Sequence, residues 1–519
     1  MMNELLDPAI VLDNPMLTKH ARSRLRRGQV IPWAVVVFVL CLLIVWFGQA
    51  SGGLESGSAL ATMLGLETLI LAIVGAQQVL TSVGGARESG VLDFHRVSPQ
   101  PPLWLVIGYF LGGPIREYLL FLITVPFALL MAQLAPLGIV GLLQVWTAMF
   151  LAAWILQLIS LLTGLTVKKP RGGSRGGMVG LVIFMIFLFN GIFGVLGFAA
   201  SSLDPEHSYL PFFGIKIHWL VLCLINTLPV IGFLLLACVR KMRSERAHLY
   251  TKAQALSALG TLSVLLLGAF WGWTTDYEVA VIAMVYALTL AGMILLATTT
   301  PDLAEYTRGV RLVEHEGRRR PGAWTDEGSN RVATVLACLI VFAATTLAAY
   351  TVAGGPDNVM ARLSNSIAVG VFTLAYVGFG YQYFLLRLPK SGAAMFGLFL
   401  FFAWLVPILA GSIVAAASSG SNETSTYFLL GLSPVTGIGL SAGNDTTRNV
   451  MGNNPARLAA ILPAILFTFV FKYLLVSTQR KLDRLIREGL GLKRKKPASP
   501  FDDIDFHDPK RPEPDAMPA

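Results

Sequence analysis

Long apolar runs separated by short polar segments recur along the whole chain. Runs of about 20 apolar residues are long enough to cross a hydrocarbon core of roughly 30 Å as α-helices. The pattern predicts spans at Ile31 to Phe47, Ser58 to Val83, Leu103 to Leu134, Leu137 to Leu165, Met178 to Ala199 and Ile217 to Val239. A second set follows at Ala253 to Trp273, Val279 to Thr298, Val332 to Val352, Ser364 to Leu386, Ala393 to Ala417 and Ala456 to Val476. The third run is too long for one straight helix, so Gly112-Gly113-Pro114 is expected to kink it or split off an interfacial part. Ser418 to Pro455 is polar with an apolar middle, Tyr427 to Leu440, which reads as a re-entrant segment or an external helix. A surface helix is expected in the basic stretch after Val476.

Composition supports this pattern. Of 519 residues, 55% are hydrophobic and only 13% are charged, against roughly a quarter charged in soluble domains. The predicted fold class is all-α: a polytopic membrane helix bundle of about twelve transmembrane helices. A net charge of +10 is compatible with a nucleic-acid partner, but its placement points elsewhere. With twelve spans, about 34 of the 40 Lys and Arg residues fall on one side, together with both termini. Enrichment of Lys and Arg on the cytosolic side sets orientation, so both ends are expected in the cytosol and no nucleic acid is expected as partner. Nothing resembles a secretory signal or transit peptide, so a cell membrane, the bacterial inner membrane, is the expected location.

Four regions result. Residues 1–30 form a basic N-terminal segment, 31–250 a first six-span half and 251–476 a second. Residues 477–519 form a basic tail, disordered at its Pro- and Asp-rich end.

Candidate chemistry is sparse. No phosphate loop of the form G-x-x-x-x-G-K-[ST] is present, and no histidine pair has zinc-ligand spacing. The four cysteines all lie in apolar runs and read as packing residues. Charges within a membrane are costly and default to functional candidates, which singles out Glu67, Arg116 and Glu117. Arg116 and Glu117 are adjacent, so they are expected to point to different sides of a helix and to need different partners. Gln157, Asn190 and Asn226 read as interhelical hydrogen-bonding groups, and Lys472 as a side chain reaching for the interface.

The most informative stretch lies between spans two and three, RESGVLDFHRVSP at Arg87 to Pro99. Charged residues alternate with Val91, Leu92, Phe94 and Val97, and the prolines that follow stop a helix. A short amphipathic helix at the membrane surface suits contact with a partner. The stretch resembles the coupling segment of type 2 ATP-binding cassette (ABC) exporter permeases, whose pattern is Arg-Glu-x-Gly-Thr-Leu-Glu followed by Ser-Pro. Arg87, Glu88, Gly90, Leu92, Ser98 and Pro99 fit; Val91 and Asp93 depart from it. Asn14 to Gly28 is similar to the basic N-terminal segment of the same permeases.

The resemblance implies a non-enzymatic permease subunit that exports its substrate. A separate ATP-binding subunit would hold ATP and magnesium and grip residues 86–99 through Arg87, Glu88, Gly90, Leu92, Asp93, Phe94 and Arg96. In that reading Leu92 and Phe94 fill a groove on the partner and the charges pair around it. The pathway is completed by the second half or by a second permease copy. The alternative is a secondary transporter driven by an ion gradient, for which Glu67 is the clear acidic candidate.

Overall fold

Ile31, Trp33, Val35, Val36 and Phe38 lie open at the surface of one helix, and Phe401, Phe402 and Ile413 along another. Apolar helix surfaces of this extent are stable against lipid, where each helix closes its own backbone hydrogen bonds. The computed structural model describes residues 14–55, 57–166, 209–271, 277–316, 321–352, 357–417, 423–442 and 455–489. Among these residues, 11 helices are long and apolar enough to cross a membrane. The chain is an all-α, multi-pass membrane protein. The 11 helices coincide with eleven of the predicted spans; the other, Met178 to Ala199, lies outside the described residues, as does Asn190.

The first part begins with α1 (Pro15–Arg24) and α2 (Arg27–Ala50). Helix α3 (58–88) contains a π-helical turn at Leu69–Val74. It is followed by the short α4 (Val91–Val97), α5 (Pro102–Gly112), α6 (Ile115–Leu134) and α7 (Gly138–Thr166). The predicted third span is thus two helices, broken at Gly113-Pro114. Pro102 opens α5, where its missing N–H costs nothing.

A β-hairpin, β1 (Tyr209–Phe212) with β2 (Ile215–His218), stands in what reads as a loop. It leads into α8 (Trp219–Arg243). Phe213 donates its backbone N–H to Gly268 O (3.0 Å), so the hairpin closes over the end of α9 (Lys252–Phe270).

The rest comprises α10 (Tyr277–Thr299), α11 (Leu303–His315), α12 (Arg331–Val352), α13 (Asp357–Arg387), α14 (Gly392–Ala417), α15 (Glu423–Gly431), α16 (Pro434–Ala442) and α17 (Pro455–Gly489). Helix α13 is the axis of this part, packed by α10, α12, α14, α16 and α17. Small residues allow the close approach: a Cβ on Gly378 would stand 2.7 Å from Thr334, and one on Gly380 2.8 Å from Phe396. The segment around Tyr427 to Leu440 is a helical pair: α15 packs on α14 and α17, and α16 folds onto α13, with Ser366 Oγ donating to Ile438 O (2.7 Å). The surface helix expected after Val476 is a continuation of the last span, since α17 runs unbroken to Gly489.

Candidate functional site

Helix α4 is held between two anchors. Gly90, at φ +73°, makes the turn from α3 into α4, a conformation that other residues adopt at a cost. Leu92 then points inward and is 0% exposed, packed in a core with Met16, Val83, Leu105, Leu161 and Met242. Arg87 donates to Gly164 O (3.3 Å) and Leu165 O (3.2 Å) and pairs with Glu245 (2.7 Å). Arg96 pairs with Asp93 (2.8 Å) and Glu245 (3.6 Å). Glu245, just beyond α8, therefore ties both ends of the segment to the bundle.

What remains outward is Glu88, Asp93, Phe94 and Val97, the last two being 70% and 82% exposed. The sequence reading put Leu92 on the outer face. The structure turns it in: at about 100° per residue, Leu92 and Phe94 lie on opposite sides of the helix, so one meets the bundle and the other meets solvent. Arg87 and Arg96 likewise serve the chain's own packing.

The sequence candidates within the membrane form two separate clusters. Glu67 is fully buried and accepts from Thr124 Oγ1 on α6 (2.7 Å) and Trp146 Nε1 on α7 (2.7 Å), so one carboxylate joins three spans. Two residues further on the π-helical turn begins. Gln157 Nε2 donates to Leu71 O within it (3.0 Å), and Tyr118 Oη donates to Gln157 Oε1 (2.8 Å). A Cβ on Gly75 would stand 2.9 Å from Gln157 Nε2, so glycine leaves the space this contact needs. Asn226, by contrast, bonds within its own helix, to Leu222 O (2.9 Å).

Arg116 and Glu117 do not seek separate partners. Arg116 Nη2 reaches Glu117 Oε1 at 2.7 Å and its Nε does so at 3.1 Å. The guanidinium stem is long enough to fold back over one residue, which backbone directions alone do not convey. The guanidinium also lies 5.6 Å from the centre of the Trp33 ring, within cation–π range.

Helix α1 runs beside α5. Asn14 caps α1 by accepting from Met16 N (3.0 Å) and donates to Trp104 O (2.7 Å). His20 packs on Gly112, and its ring centre is 5.3 Å from that of Tyr109. Burial, then Arg24, Lys19 and His95, push the His20 imidazole down to about 4. Burial and Lys19 lower His95 as well.

One cluster carried no signal in the sequence. Lys252, fully buried at the start of α9, donates to Ala323 O (3.1 Å), Thr325 O (2.8 Å), Gly328 O (2.6 Å) and Ser329 O (3.3 Å). The same loop is bound from three other helices: Arg240 on α8 pairs with Asp326 (2.7 Å), Gln382 on α13 accepts from Asn330 N (3.2 Å), and Gln479 on α17 donates to Ser329 Oγ (2.8 Å). Tyr306 on α11 donates to Asp483 on α17 (2.9 Å), and His248 lies 3.2 Å from Glu305. Burial works against the Glu305 carboxylate, but His248, the Asp302 backbone and Arg308 outweigh it and hold Glu305 below its usual range. This hub lies at the same end of the bundle as α4, since α8 carries both Arg240 and the Lys241 carbonyl that Arg96 reaches (3.4 Å).

No protein-family model matches the chain, and comparisons with curated proteins and solved structures give no match either.

Proposed function

We propose that the chain is the membrane-spanning subunit of an ATP-driven exporter of the type 2 ABC kind, with a separate ATPase docking on α4. The observation that carries this reading is the two-sided build of α4. Its inner face is locked to the bundle through Leu92, Arg87 and Arg96, while Phe94 and Val97 stand out as an apolar knob beside Glu88 and Asp93. Large exposed apolar side chains flanked by charge are what a partner's groove recognises. A rigid anchor behind them is what a push on the knob needs in order to reach α3, α5 and α8. ATP and magnesium belong to the partner in this reading, and the cytosolic side is the side of α4.

Co-purification with the candidate ATPase, followed by measurement of ATP turnover, tests it. Phe94→Ala should leave the permease folded and weaken the complex or its stimulated turnover about tenfold or more, in line with loss of an interface anchor. An unchanged complex with Phe94→Ala and Val97→Ala combined sinks the proposal. The ion-gradient alternative would centre on Glu67. Both of its oxygens are already engaged by donors on α6 and α7, which suits a helix clamp better than a relay.

A further inference from the structure

We infer that the hollow between α1, α2, α3 and α6 binds the phosphate of an anionic phospholipid from the adjoining leaflet. The hollow has a volume of about 580 Å³, and its lining includes Arg24, Gly28, Gln29, Trp33, Gln78 and Arg116. A neighbouring hollow that shares Ser23 adds Lys19, Arg22 and Arg26.

Among the described residues the charge within is cationic and incompletely offset. Arg116 is matched by Glu117, but Arg24 is held by neutral groups, Gln78 Oε1 and Ser82 Oγ (2.7 Å). The Glu117 carboxylate is buried behind Arg116 and does not line the space. Arginine forks match phosphate oxygens, and the side-chain amides of Gln29 and Gln78 add uncharged donors.

Depth favours a lipid. Helix α6 has 20 residues, about 30 Å at 1.5 Å per residue, and so spans the hydrocarbon core with its first turn at the boundary. Arg116 is in that turn, and Arg27 is the first residue of α2. The hollow therefore sits at headgroup level. Trp33, half exposed at its rim, is a residue type enriched at that depth. The exposed apolar face of α2 continues from Ile31 to Phe47 as a track for acyl chains. The inference does not depend on an ATPase partner.

The test is native mass spectrometry of the full chain in detergent, titrated separately with phosphatidylglycerol and with phosphatidylcholine of the same chain length, and with inorganic phosphate. One phosphatidylglycerol should be retained with about tenfold or greater preference over phosphatidylcholine, the size of one good charge-assisted contact. Arg24→Gln should abolish most of that preference and Arg24→Lys should retain much of it.

Gly28→Phe gives a variant that keeps all polar groups. A Cβ at Gly28 meets nothing within 4 Å, so a side chain can be added at this wall of the hollow without a clash at its root, and the ring should obstruct the lipid. Lys481→Gln, in a separate basic hollow on α17, should change nothing. Equal retention of phosphatidylcholine, retention undiminished in Gly28→Phe, or loss on Lys481→Gln would each overturn the assignment. Displacement of the lipid by millimolar inorganic phosphate would overturn the lipid as the source.

Discussion

Glu67 and Lys252 are both fully buried charges, yet the protein meets their needs in opposite ways. Glu67 takes its hydrogen bonds from side chains on two other spans. Lys252 gives its hydrogen bonds to four main-chain carbonyls of a single loop. The first arrangement fastens helices to each other and leaves their backbones untouched. The second fixes the path of a loop, which arrives from more than 70 residues away in sequence. A buried charge thus specifies helix adjacency in one place and loop conformation in the other. The kind of partner decides which, and so decides what breaks when the charge is removed.

The largest expected effect is at Lys252. Lys252→Met keeps the stem's packing but leaves four carbonyls without their shared donor. It should cost about 3–5 kcal/mol and expose residues 321–330 to protease while the spans stay folded. Uniform protection of that loop in the variant would remove the distinction between the two sites.

His20 sharpens the contrast, because it is a buried titratable group whose Nε2 has no partner among the described residues. Its folded-state value of about 4 lies below the 6.5 of the free side chain. Below pH 6.5 the unfolded chain therefore binds the extra proton and stability falls as pH drops; below about 4 both states are protonated and the loss is complete. The total is up to ~3 kcal/mol. Between pH 7.5 and 4.5 the melting temperature of wild type should fall more steeply than that of His20→Gln, since the variant lacks the acid-sensitive part. Parallel curves would assign the acid sensitivity to other groups.

At Glu67 the effect is smaller. Thr124 can turn its hydroxyl to Phe121 O (2.7 Å), but among the described residues Trp146 Nε1 bonds only to Glu67. Glu67→Ala should cost about 1–2 kcal/mol, the scale of interhelical polar contacts in membranes, and Glu67→Gln less than about 1. Thermal unfolding of Glu67→Ala, Trp146→Phe and the double variant checks this: the two single losses should not add, since they remove the same bond.

The smallest effect on stability is expected at Phe94. Phe94→Ala should shift thermal unfolding by less than about 0.5 kcal/mol, because the ring touches little of its own chain. A large destabilisation would mean that the outer face of α4 belongs to the fold.

The spans were legible because lipid demands apolar length and little else, so run length alone located them. The break at Gly112-Gly113-Pro114 was legible because proline and glycine act locally. Glu67 stood out as an acid in an apolar run, but Thr124 and Trp146 lie 57 and 79 residues away, and no local pattern joins them. Lys252 was hidden for the opposite reason: a lysine at the end of a span looks like every other orienting charge. The direction of Leu92 was missed because α4 has only seven residues, too few for a periodicity to separate an inner from an outer face. The hairpin at Tyr209 to His218 went unseen because an apolar YLPF and IKIH flanking Phe-Gly are short and sit beside a span.

The π-helical turn at Leu69–Val74 has a consequence for the gene as well as for the fold. Such a turn holds one residue more than the α-helical turn it replaces, and one residue rotates everything beyond it by about 100°. Deleting a codon elsewhere in this span would swing Val79, Val83 and the whole α4 segment away from their contacts. Deleting the codon for Ile73 would instead let the turn relax to ordinary α-helix with the faces on either side still in phase. Glu67 would keep its donors and Leu92 its pocket, and only the hydrogen bond from Gln157 would need a new acceptor. This stretch is therefore a joint at which the reading frame of the protein can lose three nucleotides and keep its architecture.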